Sequence, residues 1–226
     1  MFINIQYSYK GYNFTKKIKT IHMKKLLLLG AAAMVLVANL SSCKKGENDP
    51  FLSLKSRKAR LCGEWTVTKS EGTSSYATGI ALTSNSTVTT YNGTTETSIT
   101  TGVLGAGNPN VSSYTQSYTF VKDGTFTMVF TSGTDVDTYE GNWMFLGKNK
   151  NADLAKKEAV MLSITKQTSS SNGTSVTESF TGYNNTTYTF LLDELKSKQI
   201  TMIDESTNVD GAITSTNKTT TTLTAK

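Results

Sequence analysis

Tyr114-Thr115-Gln116-Ser117-Tyr118-Thr119-Phe120-Val121-Lys122-Asp123-Gly124-Thr125-Phe126-Thr127-Met128-Val129-Phe130 is the stretch that decides the fold. Side chains two apart on a strand point the same way. Tyr114, Tyr118 and Phe120 therefore share one face, and Phe126, Met128 and Phe130 share one face of the next strand. Between them Asp123-Gly124 offers the positive φ that a tight hairpin needs. The opposite faces carry Thr and Ser. Such a hairpin covers a core on one side only.

The same pattern continues outward. Tyr139, Trp143 and Phe145 form one apolar face, Val160, Leu162 and Ile164 another, and Tyr188, Phe190 and Leu192 a third. Strands are expected near 63–70, 86–100, 112–121, 125–131, 136–146, 159–168, 174–182, 186–193, 199–205 and 212–224. Ser171-Asn172-Gly173 reads as a second hairpin turn, and residues 193–198 as a short polar connection. One short helix is expected over Asp153–Ala159. Threonine supplies 37 of the 184 residues from Cys43 onward, and a β-branched hydroxyl residue suits the solvent face of a strand. Consecutive one-sided hairpins favour an antiparallel meander, which protects its edges best by closing. The expectation is all-β: an antiparallel up-and-down barrel of about 8–10 strands.

Residues 1–42 are separate from this domain. Lys24 and Lys25 precede the apolar run 26–40, and small residues follow. That order makes a secretory signal. The run is shorter than the roughly 20 residues of a spanning helix. Leu40-Ser41-Ser42-Cys43 resembles the bacterial lipobox, which implies cleavage before Cys43 and lipidation of its thiol. Met23 begins a complete signal by itself, so residues 1–22 are expected to be a mis-called start. The organisation expected is 1–42 leader, 43–60 lipidated cysteine and tether, and 61–226 barrel domain.

Charge follows the same division. Six of the 23 bases and none of the 17 acids lie in residues 1–42, so the remainder is neutral. Residues 44–60 hold six bases and two acids; residues 61–226 hold 11 bases and 15 acids. An acidic domain repels phosphates, which excludes a nucleic-acid partner. The single histidine, His22, lies in the leader. The mature chain therefore has no Ser-His-Asp or Cys-His site and no histidine-held metal. Cys62 reads as an inert thiol. Ser163-Ile164-Thr165-Lys166 matches the Ser-x-x-Lys pattern of penicillin-recognising enzymes, but on an alternating strand its ends should face opposite ways. Asp135 with Asp137, and Asp204 beside Glu205, read as exposed hairpin ends. Neither catalysis, a cofactor nor a metal is expected.

Gly63-Glu64-Trp65 opens the first strand and Gly141-Asn142-Trp143 recurs later. With the Asp123-Gly124 hairpin between them and Tyr188–Leu195 after them, residues 61–226 resemble the lipocalin-like lipoproteins of Bacteroidota. The resemblance implies a lipocalin-like barrel, with Gly63, Trp65, Gly141 and Trp143 as its structural signature. In lipocalins an arginine on the last strand stacks on the signature Trp; here 212–224 has none, so either Arg60 folds back over the barrel end or the stacking is missing. Glu71–Ser113, rich in Ser, Thr, Gly and Asn, reads either as a long loop able to cover the open end or as a mobile surface segment.

Two functional readings remain open. In the first, the barrel binds a small apolar or amphipathic ligand between Tyr114, Tyr118, Phe126, Met128 and Tyr188, in a cavity of at least about 300 Å³. In the second, a filled barrel serves as a structural or interaction module for glycan or envelope proteins. Either way the membrane is reached through the lipid on Cys43. Lys44 is not the aspartate that resembles an inner-membrane retention signal, and residues 45–49 partly resemble a surface-export tether. The expected location is the outer membrane, displayed outward ahead of facing the periplasm. The sequence does not fix the oligomeric state.

Overall fold

The computed structural model describes residues 55–78, 84–102, 105–146, 158–181 and 186–226. Cys43 and the leader lie outside these residues. So does most of the helix expected over 153–159; its last two residues, Glu158 and Ala159, begin a strand instead.

A helix α1 (Arg57–Leu61) leads into β1 (Gly63–Ala77). Next come β2 (Asn85–Tyr91), β3 (Thr95–Gly102), β4 (Gly105–Ala106), β5 (Asn110–Ser113) and β6 (Thr115–Phe120). They are followed by β7 (Thr125–Ser132), β8 (Asp135–Leu146), β9 (Glu158–Ser171) and β10 (Thr174–Ser179). β11 (Thr186–Leu195), β12 (Gln199–Asp210) and β13 (Ile213–Ala225) complete the chain. Antiparallel pairing runs β1-β6-β7-β8-β9-β11-β12-β13, and β13 returns to β1. This is a closed eight-stranded antiparallel barrel, as the alternation predicts.

The wall differs between its two ends. Gly63–Thr66 of β1 pair with β6, whereas Ser70–Tyr76 pair with β2. β3 then pairs with β5, which leads through Tyr114 into β6. Two extra strands thus enter the wall above the level of Ser70 and widen it. The strand expected over 86–100 is this β2–β3 hairpin, broken at Asn92-Gly93-Thr94. The Asn92 side-chain oxygen accepts from the backbone N–H groups of Thr94 and Thr95. Gly93 has φ 101°, a conformation that favours glycine.

The long loop expected over Glu71–Ser113 is therefore mostly sheet. Its hydroxyls pair across strands: Ser75 with Thr216 at 2.6 Å, Thr87 with Thr100 at 2.9 Å, and Thr89 with Ser98 at 2.9 Å. Such pairs stabilise a sheet where apolar side chains are scarce.

The narrow end is packed and plugged. Trp65, Val67, Phe120, Phe126, Trp143, Leu192, Ile200 and Leu223 belong to one buried cluster. α1 closes this end. Ser56 caps it by accepting from the Ala59 N–H at 3.1 Å. Trp65 Nε1 donates to the Leu61 carbonyl at 2.8 Å, and Trp143 Nε1 to the Val121 carbonyl at 3.0 Å. The domain therefore begins before residue 61: Arg57 and Arg60, expected in a solvated tether, are both buried. Arg57 donates to the buried carboxylate of Glu158. Burial pulls the Arg57 guanidinium below its ordinary value, and Glu158 opposes that shift. Arg60 does fold into this barrel end.

The two Gly-x-Trp glycines have different causes. Gly63 adopts φ 147°. Gly141 has no such conformation, but a Cβ there would lie 2.0 Å from the Ser163 carbonyl oxygen. β9 comes this close because it bulges at Thr165, where the β8–β9 register shifts. That bulge also corrects the reading of Ser163 and Lys166. Ser163 pairs opposite Asn142 and Lys166 opposite Glu140, so both point outward. Lys166 forms an ion pair with Glu140 there.

The outside of the barrel is a hydroxyl surface. Outward positions are Thr216, Lys218, Thr220, Thr222 and Thr224 on β13, and Thr115, Ser117 and Thr119 on β6. A barrel that spans a bilayer wears an apolar band about 25 Å tall on this face. On β6 and β13 the apolar residues are inside, whereas Val88, Ile99, Val111, Met144, Val176 and Val209 are exposed on other strands. No helix among the described residues is long and apolar enough to cross a membrane.

Candidate functional site

Above the packed end the barrel is hollow. The inward face of β6 carries Gln116 and Tyr118, and that of β7 carries Phe126 and Met128. β9 contributes Leu162 and Ile164. These line a cavity of about 610 Å³ together with Tyr188 and Phe190 of β11 and Met202 and Asp204 of β12. Ser70, Thr219 and Thr221 form its far wall. The register explains the set: Ser70 lies opposite Thr221, and Thr221 opposite Met202, so the three share one inward row.

All five residues singled out from sequence line this cavity: Tyr114, Tyr118, Phe126, Met128 and Tyr188. The interior is therefore not filled by its own side chains. Gly63, Trp65, Gly141 and Trp143 lie outside the lining, at the packed end. Cys62 is half-buried there with a free thiol. Burial raises its pKa, in keeping with an inert role.

The tyrosines are held in place. Tyr114 stacks on Tyr91 with centroids 4.7 Å apart and lies 4.5 Å from the Phe130 ring. Its hydroxyl donates to Glu96 Oε2 at 2.6 Å. Burial pushes the Tyr114 phenol up, and the bond to Glu96 adds to the shift. Burial, with Tyr188 nearby, pushes the Tyr118 phenol up to about 12. Gln116 Nε2 donates to the Tyr118 oxygen at 2.9 Å. At neutral pH these phenols are uncharged, aromatic on their faces and polar at their tips.

The cavity also opens through the wall. β11 and β12 pair only between Leu191–Leu195 and Ile200–Ile203. Above that, Thr186–Phe190 and Asp204–Asp210 are not paired with each other, and β10 takes the place of β11 beside β9. Thr187 and Thr189 alternate with the inward Tyr188, so they belong to the outer face. They line the cavity nonetheless, because the wall parts at this seam. Tyr188, 53% exposed, stands in the gap.

Sequence reasoning missed two carboxylates at the site. Glu96 was hidden in a run read as one continuous strand. Asp204 reads, with Glu205, as an exposed hairpin end; it is exposed, but it lies within β12 and on the cavity side. Alternation separates them: Glu205 faces outward to Lys218 at 3.5 Å, and Asp204 lines the cavity. Among the described residues no cluster of acidic, Cys or His side chains could hold a metal ion. Asp135 accepts from the Ser171 hydroxyl at an exposed hairpin end.

No family model matches the chain, and no curated protein does. Among solved structures it is similar to Ail, the attachment invasion locus protein of Yersinia pestis. The likeness covers 73% of this chain and 99% of that one, at 10% identity and a TM-score of 0.25. Ail in complex with the heparin analogue sucrose octasulfate matches at 8% identity and a TM-score of 0.24, over 73% and 99% of the two chains. A likeness this distant carries no argument about function.

Proposed function

We propose that this chain is a non-catalytic cell-envelope lipoprotein whose barrel holds a small apolar or amphipathic molecule. The observation that carries the reading is the cavity. Its volume of about 610 Å³ falls within the roughly 300–1,000 Å³ of small-molecule sites. Its lining mixes aromatic and aliphatic side chains with the polar groups of Ser70, Glu96, Gln116, Asp204, Thr219 and Thr221, which suits an amphipathic molecule. The seam beside Tyr188 gives a ligand a way in without opening the packed end. The lipobox-like Leu40-Ser41-Ser42-Cys43 supports attachment by a lipid, and the hydroxyl exterior suits a domain held in water beside a membrane. A lipid-anchored protein of the outer membrane, displayed outward, is the location this favours.

Titration with the neutral, apolar dye Nile red tests the binding reading. Saturable one-site binding with a Kd of about micromolar order is expected, and Met128→Trp should weaken it by filling the cavity. Dye emission that never saturates, or that ignores Met128→Trp, would count against the reading. For the anchor, Cys43→Ala should release the protein from the membrane fraction. Protease shaving of intact cells should digest the displayed domain while a periplasmic control survives.

A further inference from the structure

The charged side chains of the cavity are of one sign. Glu96 and Asp204 line it, and no Lys, Arg or His does so among the described residues. The nearest bases on these strands face the other way. Lys69 pairs with Glu71 at 2.8 Å and Lys218 with Glu205 at 3.5 Å, both on the outer face. The two cavity carboxylates are not one acidic cluster. Glu96 lies opposite Tyr91, Tyr91 opposite Ser70, Ser70 opposite Thr221, and Thr221 opposite Met202, with Asp204 one inward position above. Four strand spacings of about 4.8 Å separate the two acids along the wall. They bias the cavity from two sides.

We propose that the ligand of this cavity is a cationic amphiphile: an apolar chain or ring system bearing an ammonium-type head. The inference rests on the binding reading above and names its ligand class. The apolar floor of Leu162, Ile164, Phe190 and Met202 takes the apolar part. The head meets Glu96 or Asp204, with tyrosine faces beside it. An ammonium group over a tyrosine ring is attracted by the ring quadrupole, and Tyr118 and Tyr188 offer such faces. Glu96 is fixed on the wall by the Tyr114 hydroxyl, so it is ordered before a ligand arrives. An anionic head would instead bring a like charge beside Glu96 and Asp204 with no base in the lining to offset it.

The test uses the full chain with Cys43→Ala, so that no attached lipid competes, and displacement of Nile red. The competitors share a twelve-carbon chain: dodecyltrimethylammonium, dodecyl maltoside and dodecanoate, each below its micellar concentration. The cation should displace the dye at least about tenfold more tightly than the anion at low salt, with the neutral compound between them. Raising the salt should shrink that ratio. Asp204→Asn and Glu96→Gln should each lower it about threefold, and the double variant should abolish it. Asp204 is exposed, so Asp204→Asn reports even if Glu96→Gln disturbs the fold. Equal affinities, a preference for dodecanoate, or a cation preference that survives the double variant would overturn the inference while leaving the binding reading intact. Failure of Nile red and all three competitors to bind would overturn the binding reading and this inference with it.

Discussion

The two ends of this barrel are built from the same alternating strands and do opposite things. At the packed end, inward positions are Trp65, Val67, Phe120, Trp143 and Leu223, and α1 covers them. At the open end the same strands turn inward Ser70, Gln116, Thr219 and Thr221, around empty space. β13 shows the change within one strand: Leu223 is fully buried, and the next inward residues, Thr221 and Thr219, line the cavity. The difference teaches that closure and hollowness are separable. Hydrogen bonding around the ring closes the barrel, whereas side-chain size on the inward rows decides whether it is full. Stability should therefore concentrate at one end and binding at the other.

The largest effects should come from removing bulk at the packed end. Trp65 is 2% exposed and does not line the cavity. Trp65→Ala should cost about 3–5 kcal/mol through lost burial and the void left behind. Tyr188→Ala at the seam should change stability by no more than about 1 kcal/mol, since the ring is already half in water. Urea unfolding of the two variants gives the comparison directly. A Tyr188→Ala loss equal to that of Trp65→Ala would break the division between the ends.

A second effect, somewhat smaller, concerns the signature glycines. Gly141→Ala places a methyl against the Ser163 carbonyl and forces the β9 bulge to move. A loss of about 3 kcal/mol is expected, at the upper range for overpacking. Gly173, in a hairpin turn outside the signature, has a positive φ of 82°, but a Cβ there meets nothing within 4 Å. Gly173→Ala should cost about 1–2 kcal/mol, from backbone strain alone. Thermal midpoints of both variants would show whether close approach or conformation is the heavier constraint.

The barrel itself was legible because its signals are local. Period-two alternation in Tyr118–Phe120 and Phe126–Phe130, with Asp123-Gly124 between them, dictates a one-sided hairpin wherever it occurs. The five aromatic and Met lining residues were legible for the same reason. What escaped was set by contacts distant in sequence. Thr-rich β2 and β3 have too few apolar residues to show their alternation, and their hydroxyls find partners only once neighbouring strands are in register. α1 spans five residues and is held by Glu158, far along the chain. Glu96 and Asp204 needed strand parity, which bulges at Thr68, Thr165 and Asp193 reset.

Smaller effects should appear with pH. The Tyr118 phenol sits at about 12 in the folded chain, against about 10 when unfolded. Below pH 10 it is protonated in both states and contributes no pH dependence. Between pH 10 and 12 the unfolded state releases the proton and the folded state keeps it, so stability falls as pH rises. Above 12 both are ionised and the fall ends. Urea midpoints at pH 9, 10, 11 and 12 should decline more for the parent than for Tyr118→Phe. Equal declines would show that Tyr118 is open to water and that the cavity end is looser than the packing implies.

The smallest effect should lie in the turn that joins β6 to β7 at the packed end. Asp123 accepts from the Thr125 backbone N–H at 2.9 Å and from its hydroxyl at 2.7 Å. The backbone bond, followed by the hydroxyl bond, lowers the carboxyl's pKa. A lowered folded-state pKa means that the contribution is present above the unfolded value, near 4. It is lost as pH falls through the folded value. The thermal midpoint of Asp123→Ala should therefore lie slightly below the parent at pH 6, and the gap should narrow as the pH is taken toward 2. Gly124 in the same turn accepts from the Trp143 N–H at 2.7 Å, so the turn touches the buried core it connects. The carboxylate is nevertheless in solvent, where its hydrogen bonds compete with water. A midpoint drop as large as that of Trp65→Ala would locate the strength of the packed end in its turn chemistry rather than in its buried indoles.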